Sequence, residues 1–250
     1  MQKKKWVPCS IILLVFLFLL TGCVLGGTKQ KAETKADYYI GVVNDNAPYY
    51  YEEDGVSKGY YADFIAAMAK EESFTYKFVS VDTSSYNENL SKKSIDGFIG
   101  ATNVASGKNI LASKSFYTSD ICVLTPEDSN ISTLKQIKDN SIAAPADTEE
   151  EVFAKYLATR YKGRAVPFLS IKEALSDIEA GNTQVLIADK EYYKQHKETF
   201  KNWKVLKTSH RFQNEHRLFV QKDGKLQEIY SKGIKALETN GSLKNIFTQD

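Results

Sequence analysis

The sequence predicts an α/β fold, and three observations carry that expectation. Short apolar runs that read as buried strands alternate along the chain with stretches of helical apolar spacing, the order expected when helices cover a sheet. Two segments, Thr148-Glu149-Glu150-Glu151 and Ser170-Ile171-Lys172-Glu173, have the capping-box form that starts a helix. The 250 residues are 42% hydrophobic and 26% charged, a globular composition that excludes collagen-like, low-complexity and wholly disordered chains.

In chain order, residues 38–43 read as a buried strand, and Glu52-Glu53-Asp54-Gly55 as a hairpin turn. After Gly59, residues Tyr61, Phe64, Ile65 and Met68 stand at i, i+3, i+4 and i+7 and predict an amphipathic helix. Residues 76–81 alternate as a strand does, and residues 95–101 form a further apolar run. Strands are expected at residues 121–125 and 141–144, with a short helix at 134–138 between them. Behind the first capping box, Val152, Phe153, Tyr156, Leu157 and Tyr161 predict one apolar helix face; behind the second, a helix stops at Gly181. Residues 185–188 predict a strand with Asp189 just past its carboxyl end, 218–220 another, and 226–239 a helix followed by a last apolar turn. Neither a tandem repeat nor a Ser/Gly/Pro linker divides the chain, so any two lobes must be joined by ordinary strands.

Lys3, Lys4 and Lys5 precede residues 11–20, which carry no polar side chain, and Leu20-Thr21-Gly22-Cys23 follows. That order predicts a secretory signal over residues 1–22. Its apolar run is shorter than the roughly 20 residues a transmembrane helix needs. Net charge is +2, and −1 without residues 1–22. A near-neutral chain is not built to neutralise phosphates, so nucleic acid is not an expected partner. Cys9 lies in the signal, which leaves Cys122 as the only thiol besides Cys23 and no pair for a disulfide within the chain. His196, His210 and His216 are scattered, and neither metal nor cofactor is expected. Nucleophile-elbow, phosphate-loop and dinucleotide fingerprints are absent, and the expectation is a binder, not an enzyme.

Leu20-Thr21-Gly22-Cys23 resembles the bacterial lipobox. The resemblance implies a diacylglyceryl group on Cys23, a tether over residues 23–36, and anchorage to the outer face of a cell membrane of Gram-positive type. Two acyl chains supply stable attachment. An ordinary signal peptide or an uncleaved anchor is the other reading.

From Tyr38 to Phe247 the chain resembles the extracellular solute-binding proteins of ABC transporters, in the polar-amino-acid class. The ordered segments are Gly41-Val42, Ala47-Pro48-Tyr49, Gly59-Tyr60-Tyr61-Ala62-Asp63-Phe64, Ile95-Asp96-Gly97-Phe98-Ile99-Gly100, Ser115-Phe116-Tyr117, Leu134-Lys135-Gln136-Ile137-Lys138 and Asn240-Gly241-Ser242-Leu243. The resemblance implies a two-lobed periplasmic-binding-protein-like type II fold, each lobe a mixed sheet flanked by helices, with the ligand cleft between lobes. Lobe one would be residues 37–118 plus 214–250, and lobe two residues 119–213. It implies a monomer that captures a small amino-acid-like or amine-containing solute by hinge closure and delivers it to an ABC permease. Alternatives are a ligand-sensing lipoprotein that signals to a membrane partner, and a lyase or dehydratase on the same fold with Glu173 or Asp189 as its acid.

The same resemblance brings Asn46, Tyr49, Thr83, Ala101, Thr102, Lys108, Thr148, Glu149 and Asp189 to the cleft. Asp189 would take the ligand's α-ammonium by a charge-assisted bond; capping of the helix that starts near Lys190 is its plain alternative. Thr148 would sit at a helix N-terminus suited to an anion, Thr102 would hydrogen-bond the ligand, and Tyr49 would form a wall able to accept a cation. The chain also departs from the family. Gly107 stands where a carboxylate-clamping Arg is expected, Val43 where an Asp is expected, and Asn46 where a stacking aromatic is expected. Lys108, or Arg217 beside the second crossing, is the candidate replacement for the clamp, although a lysine cannot reproduce a bidentate fork.

Overall fold

The computed structural model describes residues 35–248, so the signal segment, Cys23 and nearly all of the expected tether lie outside the described residues. In chain order the elements are strands β1 Tyr38–Val42, β2 Tyr51–Glu53 and β3 Val56–Lys58, helix α1 Tyr60–Glu72, strand β4 Tyr76–Ser80, helix α2 Tyr86–Ser91, and strands β5 Gly97–Gly100, β6 Ile110–Ala112 and β7 Tyr117–Pro126. There follow β8 Ser141–Pro145, α3 Glu149–Tyr161, β9 Arg164–Phe168, α4 Ile171–Glu179, β10 Val185–Asp189 and α5 Lys190–Gln195. The chain ends with β11 Trp203–Val205, β12 Gln213–Gln221, α6 Lys225–Thr239 and α7 Ser242–Ile246. Single 3-10 turns at Thr83–Ser85 and Leu134–Ile137 complete the list; the second replaces the short helix expected there.

One mixed sheet runs in the order β4-β1-β5-β12-β7-β10-β8-β9, with β6 on β12 and β11 on β7. Its two halves meet along an antiparallel pair in which Gln213–His216 of β12 faces Tyr117–Asp120 of β7. Beyond that pair the strands part company. Arg217–Val220 of β12 joins β5, and Ile121–Leu124 of β7 joins β10. Both strands are much longer than the apolar runs that announced them, because their crossing portions are polar.

Strand alternation divides the core as a two-sided sheet must. Ile121, Val123, Val185 and Ile187 face α3 with Phe153, Ala154 and Leu157. Cys122, Leu124, Leu186 and Ala188 face Ala174 and Ile178 of α4 on the other side. In the first half, Ile40, Ile99 and Leu218 pack with Phe64, Ile65 and Met68 of α1, while Phe98 and Phe219 pack with Tyr86 and Leu90 of α2. Each valine, leucine, isoleucine, phenylalanine or methionine among them contributes about 1.5–3 kcal/mol when fully buried. The α1 stripe is the one its spacing announced. On α3 the stripe is turned by a step: Glu150, Phe153, Ala154, Leu157 and Ala158 are buried, whereas Val152 is exposed.

Candidate functional site

A cavity of about 610 Å³ is lined from both halves of the sheet. It lies beyond the carboxyl ends of β5, β8 and β10, where Gly100, Pro145 and Asp189 reach it, as ligand sites of open α/β sheets do. Its inner surface includes Tyr49, Tyr61, Glu150, Asp189, Asn214 and His216, all buried. Exposed residues Asp45, Asp82, Leu169, Ser170 and Lys172 line its mouth.

Tyr49 is placed by backbone geometry. Gly59 has φ 99°, so the chain turns back sharply. The first amides of α1 then bond to the loop: Tyr60 N to Pro48 O at 3.0 Å and Tyr61 N to Tyr49 O at 2.8 Å. The Tyr49 ring lies 4.5 Å from the His216 ring, stacked, and 5.4 Å from Tyr61. Its hydroxyl donates to Asp189 Oδ1 at 2.8 Å. Burial first, then the Asp189 charge, hold that hydroxyl well above its ordinary pKa, so it remains a donor.

Asp189 ends β10 and caps α5. Its Oδ1 also accepts from Glu191 N at 2.8 Å and Tyr192 N at 3.2 Å. Oδ2 accepts from Asn214 Nδ2 at 2.8 Å and from Ser119 Oγ. Five donors saturate a carboxylate that offers about four lone-pair directions. The helix-capping alternative is therefore what the geometry shows, in a buried and not a solvated form, and a solute nitrogen meets no free oxygen on Asp189.

The hydrogen-bond pattern also fixes the His216 tautomer. Ser119 Oγ gives its proton to Asp189, so it accepts from His216 Nε2 at 2.9 Å. His216 Nδ1 must then accept from the Tyr61 hydroxyl at 2.6 Å. The ring is neutral: burial pushes its pKa down to about 3.

Glu150 is different. Its Oε1 accepts from Asn214 Nδ2 at 2.9 Å, so this one amide bridges two buried carboxyl groups. Glu150 Oε2 and Asn214 Oδ1 are buried with no hydrogen-bond partner. Burial, and after it the Asp189 charge, push the Glu150 carboxyl up to about 7.

Six of the nine expected residues line the cavity: Asn46, Tyr49, Thr83, Ala101, Thr148 and Asp189. Thr102, Lys108 and Glu149 do not. Thr102 Oγ1 is spent on Asp147 O at 3.0 Å and Val104 N at 3.0 Å. Lys108 is exposed, because the loop carrying it is tied to α2 through Asn87, which bonds Ala105 O and Gly107 N. Glu149 faces Glu215 instead of the cavity, and its neighbour Glu150 takes the inward position. Arg217 is held by Ser113 O at 2.7 Å and by Glu215, so it supplies no clamp either. Thr148 caps α3 as expected, accepting from Glu151 N at 3.4 Å. The return bond of the box goes one residue early, from Asp147 N to Glu151 Oε2 at 2.8 Å. Sequence reasoning missed Glu150, Asn214, His216 and Ser119. Among the described residues Lys172 is the only lysine or arginine lining the cavity, against Asp45, Asp82, Glu150 and Asp189.

Among the described residues no group of three or more His, Cys, Asp or Glu side chains is placed to hold a metal ion. None of their helices is long and apolar enough to cross a membrane. In comparison with known proteins, the chain is 22% identical over 249 residues to the arginine-binding extracellular protein ArtP of Bacillus subtilis, covering 97% of this chain and 96% of that protein. The substrate-binding protein of an amino acid ABC transporter superposes with a TM-score of 0.73 at 22% identity, over 85% of this chain and 99% of that one. The arginine-, lysine-, histidine-binding protein ArtJ of Geobacillus stearothermophilus superposes with a TM-score of 0.73 at 17% identity, over 84% and 93%. These likenesses establish a periplasmic-binding-protein-like type II fold. The sequence profile of the bacterial extracellular solute-binding proteins, family 3, matches residues 38–249, and the chain belongs to that family.

Proposed function

We propose that this chain is the solute-binding component of an ABC importer and that its solute is small, polar and carries a cationic nitrogen. The observation that carries the reading is the charge of the cavity. Among the described residues it presents four acidic side chains, one lysine at its mouth and no arginine. A cavity walled by one sign of charge concentrates solutes of the other, and the absence of a guanidinium fork removes the usual grip on a carboxylate. Relatives whose names state arginine, or arginine, lysine and histidine, agree with a basic solute. A lipid on Cys23 would hold the protein at the membrane beside its permease.

On this reading residues 37–118 with 214–250 and residues 119–213 are lobes that open and close about the β7–β12 pair. Contacts across the cavity mouth favour the closed form. Asn103 Nδ2 donates to Thr148 O at 2.9 Å, and Asn103 N to Asp147 O at 3.3 Å. One such bond is worth about 1 kcal/mol net. Asn103→Ala is expected to weaken solute binding about fivefold and to raise the radius of gyration of the loaded protein in solution scattering. Unchanged affinity and size would detach this contact from closure.

The solute class is tested by thermal unfolding of the full-length chain in mild detergent, refolded beforehand to strip carried-over solute. L-Arginine, L-lysine, agmatine and putrescine are compared with L-glutamine, L-glutamate and L-aspartate. A solute at about 100 times its Kd stabilises by about 2.7 kcal/mol, a rise of roughly 5–10 °C for a domain of this size. Stabilisation by a basic solute is expected. Stabilisation by the acidic or neutral amino acids alone would overturn the reading.

A further inference from the structure

We propose that Glu150 Oε2 and Asn214 Oδ1 are the acceptors of the solute's cationic nitrogen, an ammonium, guanidinium or amidinium group with at least two N–H donors. We further propose that the cation enters in exchange for a proton held on Glu150. The assignment rests on the cationic-solute reading above and names the subsite within it.

Both side chains are more than nine-tenths buried, with relative exposures of 5% for Glu150 and 3% for Asn214. Both line the cavity, and each presents one oxygen with no hydrogen-bond partner. Buried acceptors are almost always satisfied, by protein groups, ordered water or a bound ion, so two left over side by side in a cavity wall mark a place for a donor. The two oxygens belong to adjoining groups, since Asn214 Nδ2 holds Glu150 Oε1 at 2.9 Å. Asp189, by contrast, has no lone pair to spare. A neutral hydroxyl offers one proton and serves one of the two oxygens. A cationic nitrogen with two or more N–H groups serves both, and it alone offsets the second buried carboxylate.

The surroundings of Glu150 explain the exchange. Asp189 on β10 repels its charge, and Asn214 on β12 is its only side-chain donor from another element. Tyr61 on α1 and, from the opposite face of the sheet, Cys122 on β7 lie within reach of its charge and are neutral, held above their ordinary pKa chiefly by burial. His216, on the same face of β12 as Asn214, is neutral too. On the other elements packed against α3, Arg164 of β9 is tied to Ser141 at the far end of β8, and Glu215 of β12 faces Glu149. Within α3, Lys155 pairs with Glu151. With burial and the Asp189 charge against it and no cation among the described residues beside it, the Glu150 carboxyl is pushed up to about 7. Guanidinium and alkylammonium groups keep their charge from pH 6 to 8. Exchange of one proton on a group of that pKa therefore strengthens binding about tenfold over the interval. The proton leaves to solvent, and no bond in the solute changes.

The test titrates the full-length chain calorimetrically with L-arginine, L-lysine, agmatine and putrescine at pH 6.0 and 8.0, in buffers of different ionisation heat. At least one of the four is expected to bind, about tenfold tighter at pH 8.0, with release of close to one proton at pH 6.0. Glu150→Gln should lose at least tenfold in affinity at pH 8.0 and most of the pH dependence, and Asn214→Ala should lose affinity while keeping it. Binding of a basic solute that is equally tight in Glu150→Gln, or that is independent of pH in the wild type, overturns the subsite and leaves the cationic-solute reading standing. The wild-type pH profile needs no variant, so a misfolded substitution does not blunt it. Failure of all four solutes to bind overturns both.

Discussion

Between pH 6 and pH 4 the wild-type protein is expected to lose about 2–3 kcal/mol more stability than a His216→Gln variant. The argument is one of linkage. His216 is buried and neutral, with a pKa lowered from 6.5 to about 3. The unfolded chain therefore takes up a proton at this position below 6.5, and the native protein does not until about 3. The stability His216 contributes is complete above 6.5 and is lost as pH falls through that window, by about 5 kcal/mol in all at 1.36 kcal/mol per unit. Gln offers one donor and one acceptor for Ser119 and Tyr61 but does not titrate. Glu150 has the opposite sign. Its pKa is raised from 4.5 to about 7, so its contribution is complete below 4.5 and is lost as pH rises to about 7. The two slopes oppose each other between 4.5 and 6.5, and His216 acts without that opposition on the acid side. Comparing variant with wild type cancels the Glu150 slope, since both proteins carry it. Urea unfolding at the two pH values reads the difference directly. Parallel losses in the two proteins would mean that His216 already exchanges protons with solvent in the native state.

The same two residues show how far the site could be read before the structure. Regular elements were legible wherever one face was apolar. Tyr61, Phe64, Ile65 and Met68 announced α1, and all four are buried. The floor of the cavity hid because it continues apolar stripes with polar residues. On α3 the buried set is Glu150, Glu151, Phe153, Ala154, Leu157 and Ala158, a single stripe at helical spacing. The stripe Val152, Phe153, Tyr156, Leu157 and Tyr161 left Glu150 out, and the family resemblance brought its neighbour Glu149 to the cleft instead. On β12, Asn214, His216, Leu218 and Val220 alternate onto one buried face. The two polar members stand at the crossing, and the two apolar ones pack in the first half's core. A periodic stripe that turns polar at the end nearest a crossing is the signal that marks this site. Lys108 was misplaced for another reason. Its loop is held by the side chain of Asn87 bonding loop backbone groups, and such partners follow no spacing rule.

Gly59→Ala is expected to cost about 3 kcal/mol or more and to lower Tm by at least about 6 °C. It should also remove solute binding out of proportion to the stability lost. Gly59 has φ 99° and ψ 174°, a region that is essentially closed to residues with a Cβ and carries about 1–3 kcal/mol of strain. A Cβ at this position would also stand 2.5 Å from Pro48 O and 2.7 Å from Tyr49 O. Both are backbone atoms, and both accept the first hydrogen bonds of α1. Neither can move without shifting the loop that aims Tyr49 at Asp189. Gly55 provides the control. It too has positive φ, at 73°, but a Cβ there meets nothing within 4 Å. Gly55→Ala therefore reports strain alone, about 1 kcal/mol for a left-handed residue. If the loop matters to the site through its contact with α1, Gly59→Ala destabilises more than Gly55→Ala and loses affinity, while Gly55→Ala binds as the wild type does. Equal losses in the two variants would show that the clash relaxes locally and that Tyr49 keeps its place without Gly59.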